Sequence, residues 1–303
     1  MRPNLLQRLL AGLLSLMPLA ALAEPFGFAA GFNELYRVDM ANGQSVRVGV
    51  IGFNGISGLA FAENGQLFGV ADHTAGSGSG ATDFLVRIDP SNGRGTLVGP
   101  LGLQGQGANG SLDYGLAVTC DGRIWLSSDT TGDFWEVNRA TGQARRVGNL
   151  AAPISALAAR GNTVFGISVG AQAGLFRITP ETASATRIGT LNVGGVIDDA
   201  GLDFDANGVL WATLDPEPVA IGRSRLVRID PTTGQGTLVA AVNADIGMEG
   251  LALAPPGGCS AQPGTGTGPN APTAVPGPGM PALVLLGLMS LLAGAHTLRR
   301  RRP

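Results

Sequence analysis

A fifteen-residue sentence occurs twice in this chain, LVRIDPSNGRGTLVG at 85–99 and LVRIDPTTGQGTLVA at 226–240. Self-similarity over such a distance marks a chain built from copies of one supersecondary unit, and it constrains the fold more than any single residue. Aligned on the LVRID core, the unit recurs five times, at 35–39, 85–89, 134–138, 175–179 and 226–230. Successive copies are 50, 49, 41 and 51 residues apart. Each alternates apolar and polar residues, the period of a half-buried strand. Each is followed by a turn and another short strand: SVRVG, GTLVG, ARRVG, ATRIG and GTLVA. Four of the turns carry glycine (Gly43, Gly93, Gly142, Gly234), as tight hairpins prefer, and the fourth copy has Ala183 there.

Two more strands precede each LVRID unit. The first is apolar, at 58–61, 115–118, 155–158, 201–204 and 250–253. The second follows a turn and carries an aromatic residue, Phe68, Trp125, Phe165 or Trp211. The fifth aromatic strand is expected at 25–30, PFGFAA, with Phe26 in the aromatic place. The chain thus enters its repeat at a second strand and leaves it at a first strand. Five four-stranded repeats cut in this way predict an all-β fold over 24–257, a five-bladed β-propeller closed by its N- and C-terminal strands. Closure gives a partner to the strand edge that the last blade would otherwise expose. A β-sandwich or an open solenoid leaves the split repeat unexplained.

The order GLAF, LFGVAD, LVRIDP, TLVG resembles NHL, YVTN-type and gluconolactonase-like propellers over residues 25–257. The likeness is one of fold, and fold does not give function. It leaves three roles: a binding or adhesion module, a structural matrix protein, or a metal-dependent hydrolase or lyase by analogy with the gluconolactonase-like members.

Composition narrows the partners. Glycine (48) and proline (19) are abundant, which suits short strands and tight turns. All 20 basic residues are arginine, and six of them (Arg2, Arg8 and 299–302) sit in the terminal segments. The 22 carboxylates all fall within 24–249, so the expected mature chain sets 14 arginines against 22 acids, a formal charge of −8. Nucleic acid is excluded as a partner, because phosphate binding needs a basic surface. Cations and polar neutral ligands, a protein or a glycan, suit this charge better.

The ends give an address. Residues 1–23 run from arginines through a leucine-rich stretch to Ala21-Leu22-Ala23, the order of a secretory signal peptide. Residues 258–274 form a Pro/Gly/Thr-rich spacer. Residues 275–303 open on Val275-Pro276, continue through an apolar run just long enough to span a bilayer, and end on four arginines at 299–302. This tripartite tail resembles the PEP-CTERM and IPTL-CTERM sorting signals of Gram-negative bacteria. It has Gly277 where the PEP form has glutamate. The resemblance implies an exosortase-like sorting transpeptidase and the inner membrane as partners; a plain C-terminal membrane anchor is the alternative. Either reading places the body of the protein outside the cytoplasm, at the cell surface or beyond it.

Chemistry is sparse. The glycine run at 105–110 matches G-x-G-x-x-G, but no helical pattern follows it to meet a phosphate. His73 lies in a Gly/Ser-rich connection, and one histidine cannot build the His-rich sites that zinc favours. The recurring aromatics read as packing between blades, and the LVRID arginines as a solvated edge. Cys120 and Cys259 are the only two cysteines of a chain expected to be exported, which invites a disulfide; two free thiols are the alternative.

Strand direction places the longer connections on one face, where Asp113, Asp198, Asp199 and Glu249 precede innermost strands. Asp72, Asp129 and Asp215 end aromatic strands on the same face. Asp113, Asp199 and Glu249 are expected to converge on the axis, where they either hold Ca²⁺ or Mg²⁺ or cap turns as solvated carboxylates. No other cofactor is implied.

Overall fold

The computed structural model describes residues 25–72, 82–104, 113–216, 223–243 and 247–259. The signal-like residues 1–23, His73, the glycine run at 105–110, most of the spacer and the whole of 275–303 lie outside them. Among the described residues no helix is long and apolar enough to cross a membrane.

Among the described residues, twenty strands form five four-stranded antiparallel sheets. Blade one holds β1 (Phe26–Gly31), β2 (Glu34–Asp39) and β3 (Ser45–Val50). Blade two runs β4 (Ile56–Phe61), β5 (Leu67–Ala71), β6 (Thr82–Ile88), β7 (Gly95–Gln104). Blade three runs β8 (Tyr114–Val118), β9 (Ile124–Ser128), β10 (Asp133–Val137), β11 (Ala144–Asn149). Blade four runs β12 (Ile154–Arg160), β13 (Thr163–Ser168), β14 (Gly174–Thr179), β15 (Ser184–Thr190). Blade five runs β16 (Ile197–Phe204), β17 (Leu210–Pro216), β18 (Arg225–Ile229), β19 (Gly236–Ala241). The last strand, β20 (Gly250–Ala252), returns to pair with β1 as the innermost strand of blade one. The innermost strands β4, β8, β12, β16 and β20 pack in succession, and β20 meets β4. The ring is therefore a five-bladed β-propeller closed by its own terminal strands.

Burial follows distance from the axis. The first and second strands are buried on both faces, since each sheet is sandwiched between two neighbours. Third strands alternate, and the outermost strands are mostly exposed. Five apolar clusters each join two blades; one sets Phe165 and Ile167 of blade four against Leu202, Phe204 and Leu210 of blade five. The closing interface sets Ala29, Val38 and Met40 against Trp211 and Leu226.

Near the axis the inner strands approach backbone to backbone. A Cβ at Gly115 would lie 2.9 Å from Leu157 N, and one at Gly201 would lie 2.7 Å from Leu251 N. Glycine before the repeated leucine in four blades, with the small Ala156 in blade four, is what lets five blades close so tight a ring. This neck, lined by Gly58, Gly115, Ala156, Gly201 and Gly250, has no room for a water molecule.

The LVRID sentence now has its reason. Its terminal aspartate caps the outer hairpin: Asp89 Oδ1 accepts the Ser91 N–H at 2.9 Å, and Asp230 Oδ1 accepts the Thr232 N–H at 2.8 Å. The turn then closes on a left-handed residue, Gly93 at φ 80° or Gly234 at φ 76°. In blade four Ala183 adopts the same conformation at φ 50°.

Phe28, not the expected Phe26, holds the aromatic place in blade one. Phe28 pairs with Arg37 and Ala252 as Phe68 pairs with Arg87 and Ala60. Strand alternation puts aromatics at both 26 and 28, so periodicity alone leaves the register open by two residues. Phe26 lies nearer the strand's start, 45% exposed, with the Arg37 guanidinium 3.7 Å from its ring centroid.

Beyond β20 the chain crosses the floor of the ring. Leu253 N–H donates to Asp203 Oδ2 at 2.7 Å, and Gly161 N–H donates to Gly257 O at 2.8 Å. The crossing ends at a disulfide between Cys259 and Cys120, whose Cα atoms are 5.3 Å apart. With the neck above it, this segment makes the axis a blind funnel rather than a channel.

Candidate functional site

The inner strands all run from the mouth of the funnel towards its floor, so residues just before them ring the mouth. The residue preceding each Gly/Ala-Leu pair is Ser57, Tyr114, Ser155, Ala200 or Glu249. One position earlier stand Ile56, Asp113, Ile154, Asp199 and Met248. Carboxylates thus come from blades three and five at one level, and from blade one at the next.

Asp113 and Glu249 stand immediately before β8 and β20. Asp199 does not precede its strand: β16 starts at Ile197, and Asp199 lies inside it, just past a register shift. One ligand oxygen from each of Asp113, Asp199 and Glu249 lies within 4.8 Å of the others. Asp199 is buried, and its Oδ1 accepts the Ala200 N–H at 2.6 Å and a short hydrogen bond from the Ser155 hydroxyl. Glu249 N–H donates to Ala30 O at 3.0 Å, which fixes it to the closing blade.

The charges are crowded. Burial holds Asp199 well above the usual carboxylate range, and the Glu249 and Asp113 charges add to it, against the Ser155 and Ala200 donors. Burial and then Asp113 push Glu249 up to about 8, with Asp215 and Asp72 adding. Asp113 is open to solvent on one side, yet desolvation and the Asp198 charge raise it too. Asp129 is pushed up to about 6 by burial and then by Asp113. Such a set is relieved by protons or by a cation.

The donors fit a hard divalent cation. Oxygens sharing one Ca²⁺ lie about 2.3–2.6 Å from it, hence at most about 5 Å from one another, and this trio meets that limit. Ser57, 3% exposed and on the same level as Glu249, has a hydroxyl without a hydrogen-bond partner.

Tyr114 and Asp83 form a further buried pair beside the mouth. Tyr114 OH donates to the fully buried Asp83 at 2.6 Å, and burial, then the Asp83 charge, raises the tyrosine's pKa. The place of Tyr114 before its Gly-Leu pair was readable; Asp83, next to a Gly/Ser-rich connection, carried no signal. Phe68, Trp125, Phe165 and Trp211 are all buried, so they pack the blades and form no exposed aromatic ring.

No protein-family model matches the sequence, and no curated protein matches it. Among solved structures, TolB from Acinetobacter baumannii is similar at 15% identity and a TM-score of 0.46, covering 78% of this chain and 57% of that one. A chain of a nidogen/laminin complex is similar at 13% identity and a TM-score of 0.48, covering 72% of this chain and 78% of that one. The chain thus spans little more than half of the TolB chain. The propeller assignment rests on the strand order and the closed inner ring.

Proposed function

We propose that this protein is an exported, surface-directed binding or adhesion module whose acidic mouth holds a divalent cation, Ca²⁺ by preference. The observation that carries it is the convergence of Asp113, Asp199 and Glu249 on the open, mouth side of the neck. A rigid ring presenting variable connections around such a point is the usual arrangement for recognition. A bound cation with open coordination positions recruits hydroxyl or carboxylate oxygens of a glycan or a protein.

Export is supported by the order of residues 1–23. Surface direction is supported by the tail at 275–303, read as a sorting signal handled by an exosortase-like transpeptidase at the inner membrane. Replacing the arginines at 299–302 with neutral residues is expected to release the protein into the medium or to stall it during export. Unchanged surface retention, measured by cell fractionation, counts against both a sorted and an anchored tail.

The site is tested by melting. Unfolded carboxylates titrate near pH 4, whereas Asp129 and Glu249 are raised to about 6 and 8, and burial of Asp203 beneath the ring raises it to about 7. Between these limits the folded state binds more protons than the unfolded one. Stability without calcium therefore falls as pH rises from about 5 to 8. Ca²⁺ at 100 times its dissociation constant adds about 2.7 kcal/mol, which raises Tm by roughly 5–10 °C in a domain of this size. The rise should be larger at pH 8 than at pH 5, because protons compete for the same oxygens. No rise, or one that survives Asp199→Asn with Glu249→Gln, leaves the mouth a polar rim.

A further inference from the structure

One buried oxygen beside the mouth has no satisfied role in the fold. Asp215 lies near the end of β17, is 4% exposed, and stands in register directly opposite Asp199 of β16. Cross-strand partners project to the same side of a sheet, with Cβ atoms roughly 5 Å apart. Two carboxylates therefore face the same space. The Ser224 hydroxyl and the Met248 N–H donate to the Asp215 carboxylate, and Met248 N–H also reaches Ser224 Oγ at 2.9 Å. Asp215 Oδ1 has no hydrogen-bond partner. Oδ2 faces residue 247, where an added Cβ would collide with it.

A buried acceptor without a donor, facing a second carboxyl group, is a poor arrangement unless something absent from the protein's own atoms completes it. Ca²⁺ takes six to eight oxygens, so three carboxylates leave positions for water. Water on a cation turns a lone pair to the metal and its O–H groups away from it, so it is a strong donor. Such a donor suits an orphan carboxylate oxygen.

We propose that Asp215 is a positioning residue of the cation site. Its Oδ1 accepts a hydrogen bond from a water bound to the cation. Its carboxylate, through Ser224 and the Met248 N–H, holds the peptide that delivers Glu249. The inference rests on the reading of the mouth as a cation site and adds a fourth carboxylate to it. Partners one step out from a metal commonly change its affinity by about 10–100-fold.

Calorimetric titration of CaCl₂ into the mature protein and into Asp215→Asn tests this, together with the melting temperature of each without calcium. The expected result is Ca²⁺ affinity at least 10-fold weaker in Asp215→Asn, with a calcium-free melting temperature equal to or above the parent's, since a buried charge opposite Asp199 is gone. A merely structural aspartate would do the reverse, lowering the melting temperature and leaving affinity alone; that result overturns the proposal. If Asp215→Asn does not fold, Asp215→Ser makes the same comparison with a smaller side chain. Equal affinity in parent and variant sinks the role of Asp215 while the cation site stands. No calcium binding by the parent sinks both.

Discussion

Deleting residues 24–31 is expected to abolish cooperative unfolding and to drive the protein into aggregates at micromolar concentration. Those residues include β1, which pairs with β2 along its whole length and with β20 on its other edge. Its loss leaves β20 without a strand partner and exposes the bare edge of β2. Unpaired strand edges are templates for association with other chains. The loss also removes Ala29 from a cluster in which Trp211, Met248 and Leu251 are buried, so the seam between blades one and five opens. A ring whose blades support each other pairwise has no spare interface to absorb this. Calorimetry with size-exclusion chromatography reads the outcome. A truncated protein that melts like its parent would show that the termini do not close the ring.

Removing the disulfide with Cys120→Ser and Cys259→Ser is expected to lower Tm by roughly 10–15 °C. The bond closes a segment of 139 residues. Loop-closure entropy for a loop of that order is worth about 4–5 kcal/mol, and about 1 kcal/mol moves Tm by some 2–4 °C in a domain of this size. The effect should be near its full value here, because β20 offers only three paired residues to hold the closing strand. The Leu253 and Ala254 N–H groups on Asp203, and Gly161 N–H on Gly257, also tie the crossing. A change below about 2 °C would mean those ties suffice. Two reactive thiols in the unreduced, denatured protein would remove the bond from the native molecule altogether.

The architecture was legible because it is written five times. One LVRID unit would be an ambiguous strand; five copies at a spacing near 50 residues, cut between a first and a second strand, leave little but a closed ring. Register was less legible. Phe26 and Phe28 both satisfy the alternation, and only the pairing of Phe28 with Ala252 chooses between them. The mouth was legible as far as it follows the repeat: Asp113, Asp199 and Glu249 are found by their distance from the Gly-Leu pair. What the repeat does not encode stayed hidden. Tyr114 meets Asp83 across 31 residues, and Asp215 meets Ser224 and Met248 across blades five and one, contacts set by tertiary packing at single places in the ring. Asp203, whose carboxylate receives Leu253 N–H beneath the floor, belongs to the same class.

A cation at the mouth is seen directly in a crystal of the protein soaked in calcium and examined for anomalous scattering. The expected result is one strong peak about 2.3–2.6 Å from oxygens of Asp113, Asp199 and Glu249, lost in crystals of Asp199→Asn with Glu249→Gln. A map with no peak at the mouth, or with peaks only on surface carboxylates such as Asp89 and Asp230, would contradict it.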